Sequence, residues 1–109
     1  MKIIVPKVIK IGSHEYEVMF DALQEDREFR GTLLVRTHKI LLNPSLHPQQ
    51  LRVTFIHELF HLACEFNDLT PPESDVVGVS EALSDILFRS FDIDLDFSEV
   101  PTLERKEKE

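Results

Sequence analysis

The sequence has a single cysteine, Cys64, so no disulfide can form within the chain and no four-cysteine zinc site can be assembled. An unpaired thiol fits a reducing compartment, and a cytoplasmic location is the expectation. No apolar run is long enough to cross a bilayer. The opening "MKIIVPKVIKI" is basic and apolar, but Lys2, Lys7 and Lys10 interrupt it before a secretory core accumulates, so it reads as strand rather than leader. Cations are scarce too. Only 12 Lys and Arg stand against 20 Asp and Glu, giving a formal charge of −8 with no basic run, which argues against nucleic acid as a partner. The acidic "DIDLD" lacks the glycine and the distal glutamate of a calcium loop. There is no internal repeat and no low-complexity linker, and 109 residues are too few for two separate cores. What is left is one soluble domain, residues 1–97, followed by a charged and frayed tail, 98–109.

The first half is rich in β-branched residues. "KIIVPKVIKIG" and "HEYEVMFD" read as two strands joined near Gly12 and Ser13, with Pro6 at an edge or a bulge. "ALQEDRE" is a loop or short turn, and "FRGTLLVRTHKILLN" supplies one or two further strands turning near Arg36 to Lys39. Beyond Asn43 the period changes. Pro48 suits the first turn of a helix, and Leu51, Phe55, Ile56, Leu59, Leu62, Ala63 and Phe66 follow three-and-four spacing through Phe66. In "TPPESD", Thr70 as N-cap, Pro71 as first helical residue and Glu73 three places after the cap make a capping-box signature. A second helix is therefore predicted from about Pro71 to about Phe91, turning Val76, Val79, Leu83, Ile86 and Leu87 inward. The fold class is α+β: a short, mostly antiparallel sheet of three to four strands packed on two long helices.

Within "TFIHELFHLACEF", His57, Glu58 and His61 interrupt the apolar helix. Two histidines four apart lie on one face, about 6 Å apart along the axis, so their imidazoles can converge on one ion. Glu58 stands beside them, where it can act as a base without being a ligand. Glu65 extends the stripe, but it is about 12 Å along the axis from His57, too far for three groups on one straight helix to share an ion. The second helix offers "SEALSDIL", with Glu81 and Asp85 on one face. An ion held by His57, His61 and Glu81 keeps a coordination position free for water, as catalytic zinc does. Asp85 is then placed to accept the second N–H of a ligating imidazole. Cys64 reads as a small buried residue, and His38 and Tyr16 are candidates for assisting an oxyanion.

"HELFH" followed by "EALSD" twenty residues on resembles the gluzincin zinc metallopeptidases, the thermolysin-like group. The layout is similar to minimal phage- or mobile-element-type proteins related to the ImmA/IrrE-type peptidases. The match covers roughly Asn43 to Phe91. The metzincin pattern fails, because Cys64 and Asn67 occupy its glycine and third-histidine positions. The resemblance implies a zincin-like domain with zinc on His57, His61 and Glu81, Glu58 as general base, Asp85 as partner of the first histidine, and a peptide or protein substrate. Larger gluzincins stabilise the oxyanion from a further helical domain, so here that help is expected from zinc, a local residue or another subunit. The "KILLN" strand is the expected edge on which an extended substrate pairs. Two other readings stay open: a zinc-stabilised, non-catalytic binding or regulatory protein, and a metal-free interaction module. The oligomeric state is left open.

Overall fold

Pro6 cuts the N-terminal run into two strands that join different sheets. In the computed structural model, which describes residues 1–103, β1 (Lys2–Ile4) pairs in parallel with β6 (Asp94–Asp96). Past the proline, which has no N–H to give a ladder, β2 (Val8–Ile11) pairs antiparallel with β3 (His14–Phe20). Gly12 makes the turn between them at φ +57, and a Cβ there would stand 2.6 Å from Phe66 Cε1.

The second sheet is mixed. Its order is β2-β3-β5-β4, with β5 (Lys39–Leu42) parallel to β3 and antiparallel to β4 (Gly31–Leu34). A one-turn helix α1 (Leu23–Asp26) lies where the polar loop was expected. The sheet order corrects one expectation. "KILLN" is central rather than an edge, with Ile40, Leu41 and Leu42 all buried, and the edge strands of this sheet are β2 and β4. Three consecutive buried residues are the mark of a strand covered on both faces.

The helix α2 (Pro48–Phe66) starts where Pro48 predicted, and His47 and Gln50 close a reciprocal cap around its first turn. Phe55 and Leu62 enter the core with Val5, Tyr16, Val18, Ile40 and Leu42 from the strands. Ala63 and Phe66 stay outside, although Phe66 covers the Gly12 turn.

The helix α3 (Glu73–Asp85) continues into a π-helical turn, Ile86–Ser90. It packs chiefly on α2, which in turn packs on β4 and β5, so the layers run sheet, α2, α3. A helix lying on one other helix buries a narrow stripe, here Val76, Ser80, Ser84 and Phe88 at four-residue spacing. Of the predicted inward residues only Val76 is fully buried. Val79, Leu83 and Ile86 remain 46%, 40% and 50% exposed.

Packing also runs past the expected boundary at residue 97. Phe97 meets Phe55 edge-on, Val100 is buried, and the Leu103 N–H donates to the Phe20 carbonyl. The remainder of the predicted tail, 104–109, lies outside the described residues. Among the described residues, no helix is long and apolar enough to cross a membrane.

Candidate metal centre

One turn of α2 separates His57 from His61, and their Nε2 atoms stand 3.1 Å apart. A carboxylate closes the triangle: Glu73 Oε1 is 2.9 Å from His57 Nε2 and Glu73 Oε2 is 3.2 Å from His61 Nε2. Ligand atoms held tetrahedrally at zinc bond lengths are about 3.3 Å from one another, so these three atoms approximate one face of a coordination tetrahedron. His57, His61 and Glu73 are thus a cluster that could hold a metal ion.

Glu81, the ligand expected from the sequence, is not part of that triangle. It lines a cavity of about 310 Å³ together with His57, Glu58 and Glu73, but among the described residues no metal-competent group of three includes it. Eight residues separate it from Glu73, about 12 Å along α3. Asp85 does not reach an imidazole either. Its Oδ1 accepts from Arg89 Nη1 at 3.2 Å on an exposed face.

The reason lies in the loop. Pro71 precedes Pro72, and a residue before proline is driven out of the α region. The helix therefore starts at Glu73, with Pro72 extended at ψ 146 and no side-chain cap, so the capping box predicted on Thr70 and Glu73 does not form. Thr70 and Pro71 instead line a cavity with His61, Cys64 and Glu65, carrying the chain back along the last turns of α2. Glu73 arrives level with the two histidines, on the stripe that includes Val76 and Ser80. Glu81 passes beyond them, to the level of Val53. The adjacent prolines are the sequence signal that could have moved the helix start and freed Glu73 from a capping role.

Glu58 sits behind the triangle, 5% exposed. Burial, and then the negative charge of Glu73, raise its pKa from 4.5 to about 7. The His57 pKa is lowered, chiefly by burial, with the Glu73 charge opposing. A neutral imidazole is the form that ligates metal, and a carboxyl poised near neutrality is the form suited to exchanging a proton. Gly31 of β4 allows the close approach of strand and helix here: a Cβ would lie 2.9 Å from Thr54 Cγ2 and 3.3 Å from Glu58 Cγ.

Cys64 is buried and unpaired, as expected. Tyr16 and His38 stack on each other at 4.7 Å in a different cavity, so neither is placed to assist an oxyanion beside Glu58. No protein-family model, curated protein or solved structure matches the chain.

Proposed function

We propose that this protein is a zinc-dependent peptidase of minimal, zincin-like design, acting in the cytoplasm. In this reading His57, His61 and Glu73 hold the ion and Glu58 is the general base. The observation that carries it is the juxtaposition of three convergent donor atoms, none more than 3.2 Å from the next, with a buried carboxyl whose pKa is raised to about 7. Two imidazoles and one carboxylate suit zinc, and a three-residue donor set leaves room for a further ligand.

When bound, the ion supplies positive charge that polarises a scissile carbonyl and acidifies water. Glu58 takes the proton from the attacking water and delivers it to the departing amine nitrogen. Proton transfer in both directions is easiest for a group with a pKa near the working pH, which burial gives Glu58. The free side of β4 runs beside this site, with Gly31 lining the cavity that holds Glu58 and Leu33 lining the next. An extended substrate pairing with β4 would pass in front of the imidazoles. Gluzincin-like ancestry would then require that the third ligand has moved from Glu81 to Glu73.

Purified protein should carry close to one zinc per chain, and Glu58→Gln should retain that zinc while losing peptide hydrolysis by about 100-fold or more. Hydrolysis that persists in Glu58→Gln, or a wild type with full zinc that cleaves no peptide, would remove the enzyme reading.

A second reading draws on the α2–α3 interface. Ser80 and Ser84 are buried there with hydroxyls that have no hydrogen-bond partner among the described residues, so this contact is weak for its length and an ion would strengthen it. In a zinc-stapled binding protein, zinc removal loosens α3 while Glu58→Gln leaves the biological behaviour intact.

A further inference from the structure

Among the described residues, three buried side-chain polar atoms have no hydrogen-bond partner: Arg52 Nε, Ser80 Oγ and Ser84 Oγ. Arg52 and Ser84 belong to the wall of one cavity, about 250 Å³, between α2 and α3. Each such group has given up the hydrogen bonds it would make in water, and two in a single wall call for a common partner.

Arg52 is held in place without being paired. Its guanidinium lies 4.5 Å over the ring of Phe88, which is presented by the π-helical turn Ile86–Ser90, a geometry found mostly at functional sites. Yet the Arg52 side chain has no ion pair and no hydrogen bond among the described residues, although Glu81 and Asp85 line the same cavity. Asp85 is taken by Arg89 at 3.2 Å, and Glu81 is exposed. Ser84 is 2% exposed, and Gln49 brings the first turn of α2, the positive end of a 19-residue helix, to the same wall.

This cavity adjoins the metal centre. Val53 and Glu81 line both it and the cavity that holds His57, Glu58 and Glu73. Gly31, at the start of β4, lines that first cavity too. A peptide that runs past the imidazoles on β4 and crosses the first cavity meets Arg52 next.

We propose that the cavity between α2 and α3 is a subsite for a carboxylate, carried by the bound peptide as its C-terminus or as an aspartate or glutamate side chain. The guanidinium fork pairs with the two oxygens while Phe88 fixes its plane, and the Ser84 hydroxyl and the Gln49 amide donate to the remaining lone pairs. A neutral group there would leave the guanidinium unpaired. The peptide as carrier rests on the peptidase reading, whereas the carboxylate site stands on its own residues.

The Nε–H of Arg52 gives its own correlation in a proton–nitrogen NMR spectrum, assigned by its loss in Arg52→Lys, so the cavity can be watched directly. Zinc-loaded Glu58→Gln protein is titrated with an N-acetylated alanine-serine hexapeptide as the free acid and as the C-terminal amide. It is then titrated with amides carrying one glutamate or one glutamine at each position in turn. The expected result is a saturable shift of the Arg52 signal and a preference of about tenfold for the charged member of one pair. The free acid identifies the C-terminus as the source, and glutamate at one position identifies a side chain. Arg52→Gln, whose stem still covers Phe88, should abolish the preference. Ser84→Ala should raise Tm, because it removes an unpartnered hydroxyl, and yet weaken carboxylate binding about fivefold. That opposition separates a ligand contact from a packing role. Equal binding within every pair, or a preference that survives Arg52→Gln, overturns the subsite. A wild type that binds the carboxylate at Arg52 but hydrolyses nothing keeps the subsite and removes the peptidase.

Discussion

Glu73 looks like a helix-capping residue in the sequence and acts in the fold as the third corner of a donor triangle with His57 and His61. Its carboxylate faces both imidazoles, whereas Glu81 meets neither. Glu73→Gln is therefore expected to weaken zinc binding by roughly 100-fold or more, and Glu81→Gln by no more than about threefold, as read by competition with a chromophoric chelator. The reverse order would return the ligand role to Glu81.

Glu58 makes a separate prediction in zinc-free protein. Its folded pKa of about 7 lies above its ordinary 4.5, so the folded state binds the proton more tightly. The favourable contribution is complete below pH 4.5 and is lost as pH rises through about 7. Glu58→Gln cannot ionise. Measured by urea unfolding, its stability relative to wild type should climb between pH 4.5 and about 7 and level off above. The climb should be on the order of 3 kcal/mol. A difference that is flat with pH would mean the carboxyl is not held neutral by its surroundings.

The helix α3 has two candidate inner faces, and they differ. Hydrophobicity favours Val79, Leu83 and Ile86, while the fold buries Val76, Ser80, Ser84 and Phe88. Phe88 ends the stripe, with the Arg52 guanidinium 4.5 Å over its ring. Thermal and urea unfolding distinguish the faces. Val76→Ala should cost about 2 kcal/mol. Leu83→Ala should change stability by less than about 0.5 kcal/mol. Ser80→Ala should raise stability by about 1 kcal/mol, since it removes a buried hydroxyl that has no partner among the described residues. A large loss at Leu83 with little at Val76 would mean that α3 is rotated about its axis, which would also bring Glu81 round toward α2.

The layered arrangement leaves α3 attached to the body mainly through α2, across an interface poor in large apolar side chains. Metal binding should therefore have a large effect on folding. An ion that binds the folded state alone, present at 100 times its Kd, adds about 2.7 kcal/mol, or more than 10 °C in Tm for a domain near this size. Scanning calorimetry of wild type with and without zinc should show that rise, and Glu73→Gln should largely lose it.

Much of this was legible along the chain. The β-to-α change of period near Asn43, the start of α2 at Pro48, the buried thiol and the convergence of His57 and His61 all follow from local spacing, because a helix or a strand fixes its own neighbours. Sheet order, the edge position of β4, the burial of Val100, the face of α3 and the choice of Glu73 over Glu81 depend on which element lies against which. Those contacts join residues brought together by loops, and a loop's path back along α2 has no periodicity to announce it. Pro71 and Pro72 record that path only as a local constraint, and the packing of α3 on α2 gives it its consequence.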